Sequence, residues 1–193
     1  MQPIGPLMHE HRLIERMIAL LGGERERLER GEDPDLRFID HAVDFLRHYA
    51  DACHHGKEED ILFREVLAKE GMDEGFRELT HRVAKEHVYG RELTAALDRA
   101  ARASRSGGGA ESARDIMDAL RRLGEFYPRH IRTEDKEYFH QIMRFFDADE
   151  QKAMLREFDE FERRVFHERY RQLVEEHEKE MAVVSPRTQG GKP

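Results

Sequence analysis

The chain has 193 residues, with charged and apolar side chains at 38% each, six Pro and no Trp, a balance that suits one domain of long amphipathic helices and argues against a strand-rich or disordered chain. Its net charge of −8 argues against a nucleic-acid partner held through phosphates. No apolar run approaches the roughly 20 residues of a bilayer span, residues 1–7 lack the regions of a signal peptide, and the single Cys53 can build neither an internal disulfide nor a thiolate cage; no membrane partner and a cytoplasmic location are therefore expected.

Five helical stretches follow in chain order. The first spans 6–30, ahead of Gly31, and Gly22 and Gly23 weaken its second half by about 1 kcal/mol each relative to Ala. The second opens at Asp33 and Pro34, a cap followed by Pro at the first helical position, and runs to Glu70 before Gly71. The third spans 73–102 and gives way to the Ser- and Gly-rich stretch 104–109, the clearest flexible connection. The fourth spans 110–146, with a kink or short break expected near Tyr127 because Pro128 lacks the N–H that an α-helix uses. The fifth spans 147–183. Its apolar positions, among them Met154, Leu155, Phe158, Phe161, Val165 and Phe166, suggest a face packed on the other helices or on a second copy of the chain. The expected organisation is all-α: an up-down-up-down four-helix bundle over 1–146, an additional long C-terminal helix over 147–184, and a disordered tail over 185–193.

The histidines, twelve in all, decide the rest. Residues spaced alternately three and four apart form the seam that a helix turns toward a bundle core. The four seams read Leu7, His11, Ile14, Ile18, Leu21; then Val43, Leu46, Ala50, His54, Glu58, Ile61; then Phe76, Leu79, Val83, His87, Gly90, Leu97; and finally Ile116, Leu120, Leu123, Tyr127, His130, Glu134, Tyr138. Each seam is apolar except at one level, where every helix supplies a histidine and two add a carboxylate one turn later. A buried imidazole or carboxylate without a partner costs several kcal/mol on the order of 2–7. Apolar neighbours cannot satisfy four histidines and two glutamates, whereas a pair of cations satisfies all of them together. The i, i+4 pairs His54/Glu58 and His130/Glu134 each share one helix face. Mixed nitrogen and oxygen ligation suits iron, manganese or zinc.

Taken singly, such residues have plainer explanations. A lone seam histidine is usually a hydrogen-bonded core residue, and a lone Glu is usually at the surface; it is their shared level that favours ligation. His9, His41, His48, His81, His140, His167 and His177 fall off the seams and read as surface or structural residues. Gly90, one turn from His87, leaves room for a small ligand or for close helix packing.

The stretches LMHEHR (7–12), HHGKEE (54–59), EHVYGR (86–91) and HIRTED (130–135) resemble those of the hemerythrin-like, or HHE cation-binding, proteins. The resemblance implies two irons bridged by carboxylates and by an oxo or hydroxo group, held here by His11, His54, Glu58, His87, His130 and Glu134. The chain departs from the oxygen-carrying members, which have two histidines four apart on the third helix; here Val83 and Arg91 flank His87 at that spacing. Two residues could supply the missing ligand. Glu15 lies four after His11, and His55 sits beside His54 and could turn inward if the helix is distorted at Gly56. On a regular helix Glu134 faces with His130, while Asp135 points about 140° away, so Glu134 is favoured as the bridge unless a local bulge reverses the choice. One histidine per helix with two HxxxE pairs is similar to iron-sensing members and to members that repair iron–sulfur centres.

The expected function is binding or sensing of a small ligand (oxygen, nitric oxide or peroxide) or of iron itself. The alternatives are a di-iron oxidoreductase acting on peroxide or oxygen, and a metal-free helical interaction protein that uses the fifth helix as its binding face. The residues do not choose between a binder and an enzyme.

Overall fold

The computed structural model describes residues 2–162 and 167–184, and among them every regular element is helical. Helix α1 is Ile4–Glu29 and α2 is Leu36–Phe45. The α2 cap is Asp35, whose side chain accepts from the Phe38 backbone N–H, rather than the expected Asp33. The chain then winds on through two wide, π-helical stretches, Leu46–His55 and Glu58–Phe63, into α3, Arg64–Ala68. Asp73 caps α4, Glu74–Arg105, through the Gly75 N–H. Helix α5 is Gly109–Arg132, followed by a third π-helical stretch, Thr133–Tyr138, and by α6, Phe139–Ile142. The last helices are α7, Ala148–Glu162, and α8, His167–Val184.

Pro128 does not break α5 near Tyr127 as expected. Leu123, Tyr127 and Ile131 are all buried in the core, and their packing holds the helix continuous across one missing hydrogen bond. The departure from α geometry comes after Pro128, from Thr133. The other two π-helical stretches lie on either side of Gly56, in the segment that carries His54, His55 and Glu58. Wide turns of this kind often occur where a functional residue has to be re-aimed.

The apolar interior is in two parts. One cluster holds Ile14, Met17 and Leu21 of α1, Phe38–Ala50 positions such as Phe45 and Leu46, Leu93 and Leu97 of α4, and Ile116 to Tyr127 positions of α5. The other holds Ile4 and Leu7, Ile61 to Val66 positions, Val83, and Tyr138, Phe139 and Ile142. Along α1 and α4 the chain passes from the second cluster to the first; along the segments 36–68 and 109–142 it passes from the first to the second. At the crossing level on each of these four segments stands a buried histidine.

The C-terminal helices lie against this interior. Met154 and Phe158 of α7 join the second cluster, and Tyr170 and Val174 of α8 join the first. At Gly23 an added Cβ would stand 3.1 Å from the Met181 side chain, so the second glycine of the pair that weakens α1 also admits α8. The apolar positions Val165 and Phe166 and the expected tail 185–193 lie outside the described residues. No helix among the described residues is long and apolar enough to cross a membrane.

Candidate metal centre

The polar level between the two clusters contains His11, His54, His55, Glu58, His87, His130 and Glu134, all at most 2% exposed. Their donor atoms fall into two groups. Donors of His55, His87 and His130 lie within 4.8 Å of one another, and so do donors of His11, His54, Glu58 and Glu134.

The two glutamates join the groups. Glu134 turns Oε1 toward His87 Nε2 (3.5 Å) and His130 Nε2 (3.3 Å), and Oε2 toward His11 Nε2 (3.1 Å). Glu58 Oε2 lies 3.4 Å from His87 Nε2 and 3.7 Å from His54 Nε2. Each carboxylate therefore reaches a histidine of each group, as a bridge between two cations must.

The imidazoles are held from behind. His11 Nδ1 bonds Asp135 (2.7 Å), His54 Nδ1 bonds Glu10 (2.9 Å), His55 Nδ1 bonds Asp51 (3.3 Å), His87 Nδ1 bonds Glu59 (2.7 Å), and His130 Nδ1 bonds Glu86 (2.9 Å). A carboxylate on Nδ1 fixes the tautomer that leaves Nε2 with a lone pair, which is how metal-ligating histidines are oriented. Cations stand behind several of these acids. Arg12 pairs with Asp135, Lys57 with Glu10, and Arg91 with both Asp51 (2.8 Å) and Glu59 (2.6 Å).

At the centre this satisfaction stops. Nε2 of His11, His54 and His130, both oxygens of Glu58 and Oε2 of Glu134 are buried without a hydrogen-bond partner. Buried polar atoms are almost always paired, and these unpaired ones face one another. A donor set of imidazole nitrogens and carboxylate oxygens with unspent lone pairs fits two cations: three histidines for one, two for the other, and Glu58 and Glu134 shared between them.

The protonation pattern reflects the crowding. Burial opposes a charge on Glu134, but His130, His11 and His87 outweigh it and hold the carboxyl well below its ordinary range. Burial, then the charge of Glu134, pushes Glu58 well above that range. Burial lowers His54 and His55 well below the ordinary imidazole value. It also opposes the charge on His11, yet the adjacent carboxylates of Asp135 and Glu134 lift that group to about 9. Without cations this level must hold protons, which any cation entering it would displace.

Of the residues singled out in the sequence, His11, His54, Glu58, His87, His130 and Glu134 converge here. Glu15 does not: its carboxylate is 41% exposed and pairs with Arg12 at 2.8 Å. The buried face of α1 centres on the Glu10 side of His11, so a residue about 40° further round on the other side leaves it. His55 instead supplies the fifth imidazole, carried inward by the wide turns of Leu46–His55. Asp135 is buried as well, but it serves His11 Nδ1 and Arg12, while Glu134 is the carboxylate that lies between His11, His87 and His130. Gly90 admits an aromatic ring, since an added Cβ would lie 3.0 Å from Phe126. Glu10, Asp51, Glu59 and Glu86, the acids behind the imidazoles, escaped the seam pattern because each pairs across helices or off the seam.

A family model described as the hemerythrin HHE cation binding domain matches residues 2–142, which include every residue of this centre. No curated protein and no solved structure matches the chain.

Proposed function

The chain belongs to the hemerythrin HHE cation-binding family, and from that premise we propose that it holds two iron ions and uses them to bind or sense a small ligand: oxygen, nitric oxide or peroxide. The observation that carries the reading is the set of five imidazoles, each with Nδ1 on a carboxylate, four of which turn Nε2 toward two buried glutamates that keep three of their four oxygens without partners. His55, His87 and His130 would hold one ion and His11 and His54 the other, with Glu58 and Glu134 bridging. The order in which the four long segments pass between the two apolar clusters supports an up-down-up-down bundle around that centre, with α7 and α8 added outside.

Iron held there would supply a redox-active pair, and His11 and His54, as the smaller set of imidazoles, would leave one position open to an outside ligand. The chain's own residues restrict what can enter. All seven ligating side chains are buried among apolar clusters, which suits diatomic molecules and peroxide rather than larger substrates. Five nitrogens in the donor set weigh toward binding over turnover, since oxygen-activating centres are richer in carboxylate. Manganese or zinc fits the same donors.

The purified chain should carry two irons and show an absorption change on exposure to oxygen, nitric oxide or peroxide, reversed when the ligand is removed. Iron at full stoichiometry with no response to any of the three would contradict a ligand-binding role. Steady turnover of hydrogen peroxide, lost in His54→Ala, would move the assignment to an oxidoreductase.

A further inference from the structure

We infer that Lys57 links the two-histidine position of the metal centre to helix α7, so that cation occupancy and the docking of the C-terminal helix bias one another; this rests on the metal-binding reading above. The link is a continuous chain of charged contacts. His54 Nδ1 bonds Glu10 Oε2 at 2.9 Å. Glu10 Oε1 accepts from Lys57 Nζ, and the same ammonium donates to Glu162 at the end of α7. Lys57 is 0% exposed and Glu10 only 4%, so the ammonium depends on these carboxylates for its solvation.

Packing runs alongside the charges. An added Cβ at Gly56 would come within 2.7 Å of the Phe161 ring, so α7 approaches the backbone between the two π-helical stretches as closely as a glycine permits. Phe158 lies beneath the ammonium, its ring centroid 5.8 Å from Nζ, and is buried. The residue that meets α7 is thus a close chain neighbour of His54, His55 and Glu58.

The coupling follows from where the charge goes. A cation on His54 Nε2 withdraws electron density from the ring and strengthens the Nδ1–H bond to Glu10. With Glu162 in place, Lys57 shares its charge between two acids and leaves Glu10 basic enough to support His54. With Glu162 neutral, the whole ammonium falls on Glu10, the carboxylate supports His54 less well, and one more uncompensated positive charge faces the incoming cation. The three-histidine position has a different arrangement, since Arg91 clamps Asp51 and Glu59 between segments of the main bundle without involving α7.

Glu162→Gln tests this with a side chain of the same size at a 31% exposed site, where folding is not at risk. Ferrous iron is titrated anaerobically into wild type, E162Q and a control, E157Q, which removes the exposed Arg64–Glu157 pair of the same helix. Amide hydrogen exchange of 148–162 is followed with and without iron. Removing a partner behind a metal-ligating histidine weakens binding about 10- to 100-fold. The weaker of the two iron affinities should therefore fall about tenfold in E162Q and stay at the wild-type value in E157Q, and iron should slow exchange in α7 in the wild type but no longer in E162Q. Wild-type affinities and an iron-dependent slowing of α7 in E162Q would overturn the link while leaving the metal centre standing. A wild type that binds no iron would remove both.

Discussion

Histidines meet at two places in this protein, and the two differ in what they leave unfinished. At the contact of α2 with α8, His41 Nδ1 and His177 Nε2 lie 2.9 Å apart, His177 Nδ1 pairs with Glu180 at 3.1 Å, and the Phe38 ring packs on His177 edge-on. Both nitrogens of His177 are engaged there, and the pair holds a helix in place. At the centre, five imidazoles use Nδ1 on carboxylates, and the nitrogens of His11, His54 and His130 that face inward have nothing to bond. Histidine proximity alone therefore does not mark a cation site. What marks it is a buried group of lone pairs that the protein has oriented and then left without donors.

The largest test of that difference is removal of the metal. A ligand at about a thousandfold excess over its dissociation constant stabilises the native state by about 4 kcal/mol. Chelation should lower the stability of the iron-loaded chain by that order, measured by denaturant unfolding, and should do so equally in a His177→Ala variant. A stability that ignores chelation would reduce the central group to a polar core.

Next in size is a change of opposite sign in the two states. Glu58 is fully buried, and both its oxygens lack partners. Glu58→Met should abolish the two-iron stoichiometry yet make the metal-free chain more stable by about 1 kcal/mol, because an orphaned polar group gives way to an apolar one of similar length. A metal-free Glu58→Met chain less stable than wild type would show that the carboxyl has a structural partner there.

How much of this could be read before the structure depends on helix geometry. A regular helix turns about 100° per residue, and that step placed His11, His54, His87, His130, Glu58 and Glu134 on facing seams at one level. It failed where the backbone is not α-helical. His55 lies off the seam on a regular helix, and it reaches the centre because Leu46–His55 is wound more widely. Glu15 shows the other limit: His11 stands at the edge of the buried face, and only packing of α1 reveals which side of it is inward. Apart from Asp51, four before His55, the carboxylates behind the imidazoles were beyond reach for a third reason. Glu86 serves His130 and Glu10 serves His54 across helix boundaries, so no spacing along the chain encodes the pairing.

The α8 contact should respond to smaller perturbations. His177→Ala removes a packed ring and its hydrogen bonds, and should cost about 1–2 kcal/mol of stability with no change in iron stoichiometry. Loss of iron in that variant would tie α8 to the centre. The mildest effect is one of pH. Burial lowers the His177 pKa below 6.5, with His41 and Arg37 acting in the same direction and Glu180 against them. A depressed folded-state value means that the contribution of neutral His177 is complete above about pH 6.5 and is lost as pH falls through the lowered value. In chelated protein the stability gap between wild type and His177→Ala should therefore narrow below that pH, as followed by unfolding at a series of pH values. A gap that widens on acidification would mean that the protonated ring is the form the contact favours.

X-ray absorption at the iron edge of the loaded chain tests the central claim most directly, because it reports both the ligand type and the presence of a second metal. Ligation dominated by imidazole, with an iron–iron vector at the roughly 3.5–4 Å typical of two-metal sites, is the predicted result. Iron with no neighbouring metal, or with a shell of oxygen and no imidazole scattering, would contradict the account.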